Sequence, residues 1–170
     1  GFFLPHKGLP QLVDAVALLR KQGLKVRLKM VNAEYPTPVS RELISATQEA
    51  LVRLGIDNFV DMHTQFLPDE ASLRLLSDCD LIVYPYHDTG ESASGAVRYG
   101  LATGRPVAVT PISIFDDLGE AVFRLPGTSS TQLAEGLRTY IERLGSNDFS
   151  TANIAAAASA WVDSHRYSKL

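Results

Sequence analysis

Apolar residues recur along this chain at two spacings, and the two alternate. Leu9, Leu12, Val13, Val16 and Leu19 share one helical face, which follows the turn Pro5-His6-Lys7-Gly8 and stops at Gly23. Lys25–Val31 alternates charged with apolar residues ahead of Asn32-Ala33 and predicts a strand. Thr37-Pro38 opens a second helix that runs to about Leu54 and ends at Gly55. Asn58–Met62 reads as a short strand, Pro68–Asp78 as a short helix, and Leu81–Tyr84 as an apolar strand ahead of Pro85. A helix from about Ser92 to Thr103, a strand over Pro106–Thr110, a loop holding Phe115-Asp116-Asp117 and a strand over Ala121–Leu125 follow. Two closing helices, Ser130–Leu144 and Ser150 to about His165, end the pattern, the second Ala-rich and anchored by Trp161. Gly1–Leu4, short and apolar, reads as the end of a strand.

Strands alternating with helices of this length predict an α/β fold, a doubly wound, Rossmann-like parallel sheet of about six strands with helices on both faces. Such sheets bind ligands beyond the carboxyl ends of their strands. Residues 1–170 form one domain on this reading, with the closing helices at about 130–165. The chain enters structure at Gly1 without a leader, which predicts a fragment cut from a longer chain at or near a strand end.

Composition narrows the classes. At 170 residues and 45% hydrophobic, the chain can bury one substantial core. Its net charge of −3, with both signs interspersed, offers neither a nucleic-acid footprint nor a polybasic membrane patch. Cys79 is the single cysteine, so no internal disulfide forms, which fits a reducing, cytoplasmic compartment. No signal peptide and no bilayer-length apolar run is present.

The candidate chemistry lies in His87–Thr110, HDTGESASGAVRYGLATGRPVAVT. The order is strand, small-residue turn, helix, strand, which sets the free N–H groups of the helix at the carboxyl edge of the sheet. Those groups and the helix dipole favour an anion such as phosphate, and Ser92, Ala93, Ser94 and Gly95 leave room for close approach. A capped helix that binds nothing is the competing reading. A P-loop is excluded, because Ala96-Val97 stand where Lys-Ser/Thr belong, and no G-x-G-x-x-G fingerprint occurs.

Gly1…Lys7-Gly8-Leu9, then Glu91, then Ala102-Thr103-Gly104-Arg105-Pro106-Val107 together resemble the C-terminal domain of family 4 retaining glycosyltransferases of the GT-B fold. The resemblance spans nearly the whole chain. It implies the donor-binding half of an enzyme that moves a sugar from a nucleotide-diphosphate sugar to an acceptor hydroxyl, in polysaccharide, lipopolysaccharide or glycoconjugate synthesis. Lys7 would reach the donor diphosphate together with the backbone at Ser92, Ala93, Ser94 and Gly95, and Glu91 would contact the transferred sugar. Lys7 and Glu91 are thus the implied catalytic pair. A lysine ammonium is a flexible point-charge partner for phosphate, and a carboxylate accepts from two sugar hydroxyls. His87 and Asp88 lie close enough to touch the sugar. Thr64 and Gln65 stand where relatives pocket the nucleobase. No cofactor and no metal is implied, and the N-terminal, acceptor-binding half is missing, so any peripheral membrane association would belong to it.

The chain departs from that pattern twice. Tyr99 stands where the family's second glutamate holds the ribose, and Phe2 where many relatives carry an arginine. Two alternatives stay open: a divergent, non-catalytic GT-B-like interaction domain, and half of another sugar-nucleotide enzyme such as an epimerase. Asp78-Cys79-Asp80 looks like an Asp-x-Asp metal motif but precedes a strand, which puts it on the amino edge, away from the site. Asp116 and Asp117 follow a strand and fall on the functional edge. Arg98 and Arg105 are further cations, and His6, His63 and His165 show no metal-ligand spacing.

Overall fold

The computed structural model describes residues 1–88, 90, 94–146 and 149–165. Its strands are β1 (Leu28–Val31), β2 (Val60–His63), β3 (Ile82–Tyr84), β4 (Val107–Val109) and β5 (Phe123–Arg124), and its helices are α1 (Leu9–Lys21), α2 (Pro38–Arg53), α3 (Asp69–Ser77), α4 (Gly95–Ala102), α5 (Ser130–Gly145) and α6 (Phe149–Ser164). All strand pairs are parallel. The doubly wound α/β class holds, but the described residues form two sheets, β1-β2 and β3-β4-β5, rather than one of about six strands. The difference lies in Gly1–Leu4, which adds only a single bridge, Phe2 to Ala33. A second difference is the expected loop around Asp116. It is a 3₁₀ segment over Ser113–Ala121, wound around buried Ile114, Phe115 and Leu118 and kinked at Gly119 with φ 50°.

Helix stops fall where glycine permits positive φ: Gly23 (φ 90°) after α1 and Gly55 (φ 66°) after α2. Pro38 sits in the first turn of α2, although the Thr37 side chain makes no capping bond. α5 carries a full capping box, Ser129 with Gln132.

The core has three connected parts. Val13 and Val16 of α1 and Ile44 and Leu51 of α2 pack on Met30 and Phe3, covering one face of β1-β2. Leu12, Ala15 and Leu19 of α1 meet Leu133, Ala134 and Leu137 of α5 over Ala108 of β4. On the opposite face, Val97 and Leu101 of α4, Val107, Val109 and Phe115 form the third part, which α6 closes with Trp161 and Val162. The indole N–H of Trp161 donates to the Asp117 carbonyl at 3.2 Å. No helix among the described residues is long and apolar enough to cross a membrane.

Gly8 joins the two halves. It sits in the left-handed region (φ 64°) between the Pro5–Lys7 3₁₀ turn and α1, and a Cβ there would overlap the Pro85 carbonyl. Gly8→Ala combines an αL penalty of about 1–2 kcal/mol with an overpacking cost of about 1–3 kcal/mol. Urea unfolding is expected to show a loss of about 3 kcal/mol. A variant as stable as the wild type would show that this contact yields freely.

Candidate functional site

The site grows from the carboxyl edge of β3. Tyr84 and Tyr86 are two residues apart and both buried. The Tyr84 hydroxyl donates to the Ala96 carbonyl at 2.7 Å, and its ring fills the space a Cβ on Gly100 would take, so it pins α4 to the sheet. Burial pushes the Tyr84 phenol far above its usual range, with the neighbouring Tyr86 adding to the shift. Buried Thr110 holds the same backbone from β4: its N–H donates to the Tyr84 carbonyl at 3.3 Å and its hydroxyl to the Tyr86 carbonyl at 2.6 Å. From the other side the His87 N–H donates to the His6 carbonyl at 2.8 Å.

This frame places the cation. Lys7 ends the 3₁₀ turn, and its Nζ lies 3.9 Å from the centroid of the Tyr86 ring, a cation–π contact. Lys7, Ser94 and Gly95 line one cavity, so the lysine and the head of α4 share it. Ser94 is the N-cap of α4, 7% exposed, and its side chain makes no capping bond. A Cβ on Gly95 would meet nothing within 4 Å among the described residues.

The other expected residues fall as follows. Glu91, Ser92 and Ala93 lie outside the described residues. His87 is partly buried, and its Nε2 is buried without a hydrogen-bond partner among the described residues. Asp88 is exposed and accepts from the Gly90 N–H at 3.3 Å. Thr64 gives its carbonyl to the Glu34 N–H and Gln65 is exposed, while the next two residues, Phe66 and Leu67, line the cavity. Tyr99 lines it too; a hydrogen bond to Asp69 on α3, and then the charge of that carboxylate, raise its pKa. Phe2 stands in an aromatic group, edge-on to Tyr35 at 5.1 Å and stacked with Phe66 at 6.3 Å between centroids, and Phe66 is 78% exposed.

Several charged candidates turn elsewhere. The Arg98 guanidinium lies 5.8 Å from the Trp161 ring of α6. Arg105 donates to the Ser77 carbonyl at the end of α3, on the amino edge. Asp78, Cys79 and Asp80 occupy that edge as well, with Asp78 3.9 Å from Lys29. Asp116 and Asp117 are exposed. His63 pairs with Asp61 at 3.0 Å, and His165 stacks on Trp161. No group of three or more His, Cys, Asp or Glu that could hold a metal ion occurs among the described residues. Sequence reasoning missed Tyr86 and Thr110. The period-2 spacing of Tyr84 and Tyr86 about Pro85 was the available signal for the first. Thr110 carried none.

A family model described as "Glycosyl transferases group 1" matches residues 1–143. The chain is similar in fold to HepE from Anabaena solved in complex with UDP, at 22% identity and a TM-score of 0.75, over 96% of this chain and 42% of that one. It is similar to a glycosyltransferase from Rickettsia africae at 17% identity and a TM-score of 0.78, over 96% and 41% of the two chains. A third likeness is to the C-terminal domain of a glycosyl transferase group 1 family protein (LpcC) from Francisella tularensis, at 16% identity and a TM-score of 0.74, over 96% and 82%. The chain therefore spans about two fifths of the first two structures' length. No curated protein matches it in sequence.

The buried Tyr84 phenol generates a prediction with a definite sign. A pKa raised in the folded state contributes stability that is full below the unfolded value of about 10 and is lost as pH rises above it. Urea unfolding from pH 8 to 11 is expected to show falling stability above pH 10, with a shallower fall in Tyr84→Phe. At pH 7 that variant should lose about 1 kcal/mol with its hydrogen bond. Parallel pH profiles would contradict the assignment.

Proposed function

The chain belongs to the glycosyl transferases group 1 family, and we propose that it is the donor-binding, C-terminal half of a retaining GT-B transferase of the family 4 type. The reaction is transfer of a sugar from a nucleotide-diphosphate sugar to an acceptor hydroxyl. The observation that carries this reading is the position of Lys7: its Nζ stands 3.9 Å from the Tyr86 centroid, in the cavity that Ser94 and Gly95 line at the head of α4.

The chemistry follows from charge. As the bond between sugar and diphosphate breaks, negative charge grows on the leaving phosphate. An ammonium and a helix N-terminus aimed at that charge bind the transition state more tightly than the ground state. Lys7 takes this part with the backbone at Ser92–Gly95, without calling on a metal. Glu91 orients the sugar, and His87 and Asp88 flank it on the loop after β3. Tyr99 stands at the ribose and nucleobase end, with the loop that follows β2 (Thr64, Gln65). The structure of HepE with UDP supports the choice of a nucleoside diphosphate as the first ligand to try. The acceptor site belongs to the other half of the protein, so residues 1–170 alone turn over little or nothing.

Calorimetry on the full-length protein with a panel of nucleoside diphosphates and their sugars tests this. One nucleotide should bind specifically, and Lys7→Ala should weaken it about tenfold, or about 1.4 kcal/mol. Glu91→Ala should weaken the sugar-bearing form more than the bare diphosphate. Silence across the panel would overturn the donor site and favour a domain that keeps the fold without the ligand.

A further inference from the structure

Gly95 and Tyr99 are four residues apart on α4, so they share one face of the helix, and both line the cavity that Lys7 lines. Four residues of helix rise about 6 Å, roughly one turn. A nucleoside diphosphate that sets its outer phosphate against the head of α4 therefore brings its ribose alongside Tyr99. A ribose presents two adjacent hydroxyls as donors. A carboxylate suits them, because its two oxygens accept from both at once. Position 99 supplies no carboxylate, but its phenol hydrogen-bonds to one: Asp69, in the first turn of α3. The head of α3 follows the end of β2, so Asp69 stands on the same edge of the fold as the head of α4, and it lines the same cavity. The bond to this carboxylate, and then its charge, raise the pKa of the phenol, so the hydroxyl stays protonated and acts as the donor.

We propose that Asp69 binds the ribose hydroxyls of the donor, with Tyr99 as the positioning residue that holds its carboxylate toward the cavity. Resting on the donor-half reading above, this names the group that tells a ribonucleotide from one without those hydroxyls. The carboxylate comes from α3 rather than from α4. The other described carboxylates that line the cavity lie elsewhere. Asp61 pairs with His63 at 3.0 Å, and Asp78 and Asp80 occupy the amino edge, where Asp78 stands 3.9 Å from Lys29. Asp69 is exposed and Tyr99 is 41% exposed, so a ligand reaches both from solvent. The phenol takes one lone pair of the carboxylate, and the remaining ones suffice for two hydroxyls. An acid in a first turn also favours its own helix. That part alone would show in stability and not in the choice of ligand.

Calorimetry on the full-length protein with UDP, GDP, ADP and CDP, each beside its 2′,3′-dideoxy counterpart, tests this. The ribonucleotide that binds should do so at least roughly tenfold more tightly than its dideoxy form. Asp69→Ala should cut that preference to about threefold or less. Tyr99→Phe should lower it part-way, and the double variant should lower it no further than Asp69→Ala alone. Lys7→Ala should weaken both forms alike and keep the preference. Two results would overturn the role of Asp69 while leaving the donor site standing: a wild type that binds both forms equally, or a preference that survives Asp69→Ala, whether or not overall affinity falls. Silence with all four ribonucleotides would overturn the donor site and this role together. If Asp69→Ala fails to fold, Tyr99→Phe decides: a lowered preference supports the pair, and an unchanged one overturns it.

Discussion

The close approach of Gly8 to the Pro85 carbonyl is the contact on which the site depends. It lets the head of α1 lie directly against the end of β3, and no residue with a Cβ fits there without displacement. The cation and the ring it faces both adjoin it. Lys7 precedes Gly8, Tyr86 follows Pro85, and the His6–His87 hydrogen bond fixes the two segments side by side. A cation from the start of the chain and a helix head more than eighty residues later meet at one edge because two backbones touch.

One of the contacts of Lys7 is with the face of the Tyr86 ring. A cation over an aromatic ring is worth about 0.5–2 kcal/mol. The ring itself is buried against Tyr84 and Phe115. Tyr86 acts as a rest for the lysine, and Thr110 keeps the rest in place through its bond to the Tyr86 carbonyl. The basic groups that sequence left undirected make contacts elsewhere: Arg98 faces Trp161, and Arg105 braces the amino edge.

Periodicity made the order of elements legible, because amphipathic faces such as Leu12–Val13–Val16–Leu19 and glycine stops such as Gly23 and Gly55 are local facts about the chain. The edge on which Lys7 and the α4 head meet followed from topology, since every βα loop of a parallel sheet opens on the same side. What stayed hidden depended on tertiary partners. Tyr99 is tied to Asp69, Phe2 joins Tyr35 and Phe66, and Arg98 chooses a ring on the last helix. The 3₁₀ segment at Ser113–Ala121 was read as a loop because its helical character comes from burying Ile114, Phe115 and Leu118 under α6, not from propensity. Thr110 looked like the polar end of a strand, and only the Tyr86 carbonyl above it gives its hydroxyl a purpose.

The pieces that place Lys7 also span the seam between the two sheets. Gly1–Lys7 holds to one side through Ala33 and to the other through His87 and the Gly8–Pro85 contact. The cation thus stands on a short segment anchored at both ends rather than on either sheet. α4 is bound to β3 through Tyr84, and Lys7 is tied to the end of the same strand through the Gly8–Pro85 contact and the His6–His87 hydrogen bond. The residues that fix the geometry at this edge are thus glycine, proline and main-chain carbonyls rather than charged side chains.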